Sequence, residues 1–88
     1  MSWVCELTED AQKDLRNLPR NVRARIARAL DQMTTHPFRS GVKSLHGKEW
    51  RGVFRRRIGS YRVLFTADHP KRTVTVIRIL VRSKGTYR

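Results

Sequence analysis

The segment Thr73–Val81, reading TVTVIRILV, constrains this chain more than any other. Its Val, Ile and Thr side chains favour a pleated, half-buried surface, and the run is long enough for a central strand. It is largely apolar, with Arg78 its one charged residue, so it predicts a sheet that needs a second layer to cover it.

The first half of the chain can supply that layer. Thr8 is a good N-cap, and Glu9 and Asp10 follow where the helix dipole favours negative charge. Ala11, Leu15 and Leu18 then recur at i, i+4, i+7, one apolar face of a helix that Pro19 ends. A second helix is predicted from near Asn21. Val22, Ile26, Leu30 and Met33 form its stripe, with Ala27 and Ala29 beside it, until His36 and Pro37 stop it. Joined around Pro19 and Arg20, the two form an antiparallel hairpin with a common apolar side.

Strands are predicted at residues 2–7, 50–58, 61–66 and 73–81, with turns at Gly59 and Ser60 and at residues 68–71. Residues 39–48 read as a loop broken by Gly41 and Gly47. The order β-α-α-β-β-β gives an α+β fold: a mainly antiparallel four-stranded sheet with a helical hairpin on one face and the other face open. At 88 residues the expectation is a single domain spanning 1–88.

Alternation sorts the basic residues. Arg51, Val53, Arg55 and Arg57 share one side of the strand at 50–58, while Trp50, Phe54 and Ile58 share the other. The aromatic side should meet the helices, leaving Arg55 and Arg57 on the open face, joined by Arg62 from the return strand and Arg78 from the last. Arg56 falls on the apolar side. An edge strand would allow its stem to reach solvent. Trp3 and Trp50 read as core residues, and Cys5 as a small buried strand residue. Arg16, Arg23, Arg25 and Arg28 on the helices read as solvated surface.

Charge then speaks to function. The formal net charge is +13, of which residues 39–88 carry +12 and residues 1–38 only +1. Solubility does not need such an excess, and a phosphate backbone matches it. A membrane surface fits less well, because the basic residues of this half do not lie on an amphipathic helix. No apolar run approaches the ~20 residues of a membrane span, and the opening residues MSWVCELTED do not form a signal peptide. With one cysteine, a reducing cytoplasmic setting is expected.

Metal-dependent nuclease chemistry needs carboxylates, and the basic half has only Glu49 and Asp68. His36, His46 and His69 are scattered without zinc-ligand spacing, and no Gly-rich phosphate loop precedes a helix. No metal and no cofactor is expected. RNA carries its own nucleophile, the 2′-hydroxyl, so clustered Lys and Arg around one phosphate could stabilise the cleavage transition state. An aromatic ring could hold a splayed base, and Tyr87, beside Arg82, Lys84 and Arg88, is suited to it. Lys43, His46, Lys48, Arg51, Arg78 and Arg88 are further candidate RNA contacts. From the residues alone, a basic face that only binds nucleic acid stands ahead of one that cleaves it.

Three stretches change that balance. LTEDAQKDLRNLPRNVRARIARALDQMTTHP resembles the helical hairpin of RelE/ParE-type toxins. SLHGKEWRGVFRRRIGSYRVLF resembles their basic β-hairpin with its G-x-YRV-aromatic return, and VIRILVRSKGTYR their last strand and C-terminal basic cluster. The resemblance covers nearly the whole chain and implies a RelE-like fold. It also implies a cytoplasmic toxin restrained by a cognate antitoxin, which acts as a metal-independent endoribonuclease on mRNA in the ribosomal A site. By the same resemblance the catalytic residues are Arg55, Arg57, Arg62 and Tyr87, with Arg82 or Lys84 as the general acid. Arg55 and Arg57 stand where RelE has lysines, and arginine, with a pKa above ~12, is a poor general base. Proton transfer would then fall to Glu49, His46 or Lys84. The alternatives are a ParE-like toxin that inhibits DNA gyrase without nuclease activity, and a non-catalytic nucleic-acid-binding module.

Overall fold

The computed structural model describes residues 2–38 and 42–81. Strand β1 (Val4–Leu7) passes into helix α1 (Glu9–Arg16) through Thr8, whose hydroxyl accepts the Ala11 N–H at 3.2 Å. The same hydroxyl donates to the Ile77 carbonyl at 3.1 Å, so the cap also moors the helix start to the last strand. After the turn at Pro19, α2 (Arg20–Gln32) runs to Met33. It presents Ile26, Ala29 and Leu30 to the sheet, the faces its spacing predicts.

β2 (Val42–Ser44), β3 (Phe54–Ile58), β4 (Tyr61–Asp68) and β5 (Thr73–Val81) complete a five-stranded sheet in the order β1-β5-β4-β3-β2. β1 runs parallel to β5, and every other pairing is antiparallel. The α+β class, element order and one-sided helical hairpin are as expected. The sheet gains one strand over the four predicted. Residues 42–44 lie in what reads as loop, and only pairing with β3 makes them a strand. Three residues are too few to show a period.

β3 also starts later than residue 50. Lys48–Trp50 form a single 3-10 turn, and Gly52 takes a φ of +77°, a conformation suited to glycine that breaks the extended run. The β3–β4 hairpin turns on Gly59 at φ +59°, as the first position of a type II′ turn requires. A Cβ there would collide with the Arg25 guanidinium.

The core lies between the helices and the sheet. Phe65, Ile26, Met33, Val63, Val74 and Val76 are fully buried in it. Trp3 packs there too, as expected, edge-on to Phe38 and His69. Cys5 packs against the same cluster, and burial, then the Glu6 charge, pushes its thiol up from the ordinary value. That is the inert strand residue anticipated. The far face is less open than alternation suggests, because Leu64, on the side opposite Val63 and Phe65, is also fully buried. No described helix is long and apolar enough to cross a membrane.

Candidate nucleic-acid interface

β3 carries FRRRI, and pleating sends its three arginines to two sides. Phe54 and Ile58 pack on the core, so Arg56 shares their side. It is 8% exposed, donating to the Ala29 carbonyl at 3.0 Å and the Gln32 Oε1 at 2.9 Å. Both acceptors lie in the last turn of α2, where the helix dipole is negative. Arg56 is thus held by the helix end instead of reaching solvent. β3 is also not the sheet edge, because β2 flanks it.

Arg55 and Arg57 point the other way, and register brings basic partners beside them. Lys43 of β2 stands across from Arg55, and Arg62 of β4 stands directly across from Arg57. Arg57 and Lys43 are exposed, while Arg55 and Arg62 are half-buried. Directly opposed residues have Cβ atoms about 5 Å apart, and like charges so placed cost about 0.2–1 kcal/mol. Four cations therefore share one face within the span of a single phosphodiester and its neighbours. Such a concentration of positive charge suits an anion.

Arg78 does not join them. The pairing of β4 with β5 slips between Leu64 and Phe65, which leaves Ile77 as an extra residue before Arg78. Bulges re-aim side chains. Here the Arg78 guanidinium meets the Asp14 carboxylate of α1, at 2.7 Å from Nε and 3.2 Å from Nη2. Asp14 also accepts the Ile79 N–H at 2.9 Å. Burial pushes the Asp14 carboxyl up, but the Arg78 hydrogen bond, the Ile79 N–H and the Arg78 charge together hold it below the ordinary carboxylate value. Arg78 thus fastens α1 to β5.

The remaining candidates divide. Arg51, expected on the face of Arg55, lies after the 3-10 turn and outside β3. His46, Lys48 and Glu49 are exposed in the same connection. Arg82, Lys84, Tyr87 and Arg88 lie outside the described residues. Asp14 drew no attention in the sequence, although an acid flanking Leu15 on the core side of α1 is a signal that it has a partner.

Comparison with known proteins gives one consistent result. A family model described as "ParE toxin of type II toxin-antitoxin system, parDE" matches residues 5–85. Toxin RelG of Mycobacterium tuberculosis is 32% identical over 80 residues, covering 90% of each chain. A toxin chain in the RelBE2 toxin–antitoxin complex of the same organism superposes with a TM-score of 0.84 at 28% identity, covering 93% of this chain and all of that one. The isolated E. coli RelE toxin superposes at 0.77 and 21% identity, covering 96% of this chain and 88% of its own, which shows the shared fold.

Proposed function

Because this chain belongs to the RelE/ParE family of toxins of type II toxin–antitoxin systems, we propose that it is a metal-independent endoribonuclease that cuts mRNA on the ribosome. The observation that carries this reading is the cluster of Lys43, Arg55, Arg57 and Arg62 on one face, with Arg57 directly opposite Arg62. A sheet gains nothing by opposing like charges. A phosphate between them turns the same repulsion into attraction, and more so as negative charge builds in the transition state.

In this reading Arg55, Arg57 and Arg62 hold the scissile phosphate. The 2′-hydroxyl attacks the adjacent phosphorus, giving up its proton to Glu49, His46 or Lys84. The P–O5′ bond breaks, and Arg82 or Lys84 protonates the leaving oxygen. Tyr87 stacks on a neighbouring base. Lys43, His46, Lys48, Arg51 and Arg88 extend the contact along the strand. The products carry a 2′,3′-cyclic phosphate and a 5′-hydroxyl. An acidic cognate antitoxin restrains the toxin, in keeping with the toxin–antitoxin complexes among its structural neighbours.

The test is to map 5′ ends of mRNA after induction, with and without chelator. New 5′-hydroxyl ends at defined codons, insensitive to chelator, are the expected result. Intact messages, or cleavage lost to chelator while ribosomes stay assembled, would overturn it. The matched model's own description, ParE toxin, favours testing a second reading in parallel, in which the chain inhibits DNA gyrase and cuts no RNA. Inhibited supercoiling with unaffected mRNA would select it.

A further inference from the structure

The near-neutral first half of the chain hides a segregation that the fold makes spatial. Glu6 lies in β1, and Glu9, Asp10 and Asp14 lie in α1. α2, in contrast, carries Arg20, Arg23, Arg25 and Arg28 against Asp31 alone. All four arginines are exposed; at 100° per residue Arg20, Arg25 and Arg28 lie opposite Ile26, Leu30 and Met33, while Arg23 flanks the buried stripe near the start of the helix.

Ion pairing within the fold does not explain them. Among the described residues none of the four forms an ion pair, and Asp31, three residues after Arg28, does not bridge it. Arg23 donates to the Arg16 carbonyl at 3.4 Å, and Arg25 lies over Gly59. Among the described residues Arg20 and Arg28 have no hydrogen-bond partner. Two pairs stand at i, i+3, where like charges destabilise a helix. Arg20 and Arg23 moreover occupy the first turn, at the positive end of the dipole, where α2 has no acidic residue and no side-chain cap. α2 is therefore less stable than its length allows, and solubility is already secured by a net charge of +13.

We infer that the outer face of α2 is a second RNA-binding surface, taking the phosphate backbone of double-helical RNA on the side of the molecule away from the sheet's arginines. The inference rests on the ribonuclease reading for its choice of RNA. Three features choose this occupant. The exposed charge of α2 is four arginines to one carboxylate, Asp31, and among the described residues the arginines form no ion pair, which leaves a net cationic face for a polyanion. The face has no aromatic ring, whereas surfaces for single strands add stacking platforms to their charge. It also lacks the apolar centre of a protein interface, since the described exposed large hydrophobics are Val4, Phe38 and Val81, none of them on α2. A rigid row of guanidiniums about 12 Å long, from Arg20 to Arg28, fits the fixed phosphates of a duplex. Together the two faces let one molecule anchor to folded RNA while it holds an unpaired strand.

The test is binding of the purified chain to a fluorescent RNA hairpin with a fully paired stem, followed by anisotropy at several salt concentrations. The variant is Arg20→Gln/Arg25→Gln/Arg28→Gln, which keeps helix-forming residues and spares Arg23. The control, Lys13→Gln/Arg16→Gln/Lys71→Gln, removes the same charge elsewhere, and circular dichroism verifies folding of each. The α2 variant should bind about tenfold to a hundredfold more weakly at 0.1 M salt, with the salt slope reduced by about one unit for each lost contact. The control should bind far closer to the unmodified chain. Equal losses in both variants, no loss in either, or no duplex binding by the unmodified chain would overturn the inference. So would an α2 variant that binds RNA normally but no longer holds an acidic antitoxin. Cleavage is not the readout, so an unmodified chain that binds the stem but cuts no mRNA would sink the ribonuclease reading alone.

Discussion

Arg55, Arg56 and Arg57 are consecutive in β3, yet the two sides of the sheet treat them by opposite rules. On the helix side a single guanidinium is admitted, and it arrives matched: Ala29 and Gln32 accept its protons at a negative helix end. On the other side cations accumulate against one another, Lys43 across from Arg55 and Arg57 across from Arg62. Burying a charge demands acceptors, so the helix side can use arginine only as a fastener. The solvated side tolerates like charges beside one another at modest cost, because water screens them. Position parity along one strand separates the arginine held by the helix end from the two on the solvated side.

That contrast can be broken most sharply at Arg57. Arg57→Gln should lower the rate of mRNA cleavage by about a hundredfold to a thousandfold, the usual loss for one transition-state donor. Its urea midpoint should stay level or rise slightly, because an opposed like charge is gone. A clear drop in midpoint would mean that Arg57, too, is structural.

Arg56 should behave in the reverse sense. Arg56→Ala leaves two acceptors at the end of α2 unsatisfied and opens a gap beneath it, at a cost of about 2–4 kcal/mol in chemical denaturation. Arg56→Met should restore the packing part only. Full stability in the alanine variant would refute the fastener role.

Asp14 sharpens the comparison, because its partner Arg78 is a basic residue that does not join Lys43, Arg55, Arg57 and Arg62. Asp14→Asn should lose about 1–2 kcal/mol at pH 7, discounted for the half-exposed Arg78. Since the folded-state pKa of Asp14 lies below its ordinary value, its contribution is present above that value and fades as pH falls through the folded pKa. Urea midpoints of the two proteins should therefore converge in acid. A constant gap would show that charge is not the cause.

The smallest effect is expected at the hairpin that sets the register of Arg57 against Arg62. Gly59→Ala forces a positive φ and displaces Arg25, costing about 1 kcal/mol or slightly more. An unchanged melting temperature would indicate that the turn relaxes freely.

Much of this was legible beforehand where the signal is local. The cap at Thr8, the apolar stripes and the bounds of the last strand follow from neighbouring residues, and the structure keeps them, except that α1 ends at Arg16 and Leu18 packs on the core from the turn beyond it. The parity that puts Arg55, Arg57 and Arg62 on one face is equally local. Residues 42–44 gave no such signal, because they become a strand only by pairing with Phe54, Arg55 and Arg56. Trp50 and Arg51 were read into the next strand, since the effect of Gly52 depends on a φ that the residue type permits but does not dictate.

The amino-acid order by itself determined the two helices, the longer strands and which side of β3 is charged, because those properties have periods of a few residues. It also determined that the charge would exceed anything the chain can neutralise. Only the tertiary structure decided which charges are spent internally. Arg56 meets Ala29 across 27 residues, and Arg78 meets Asp14 across 64. Neither partner can be read from spacing, because each pair exists only once a helix end or a bulged strand has been brought to it. The arginines of α2 show the converse. Spacing puts Arg20, Arg25 and Arg28 outward, but only the folded molecule shows that among the described residues no carboxylate comes to meet them.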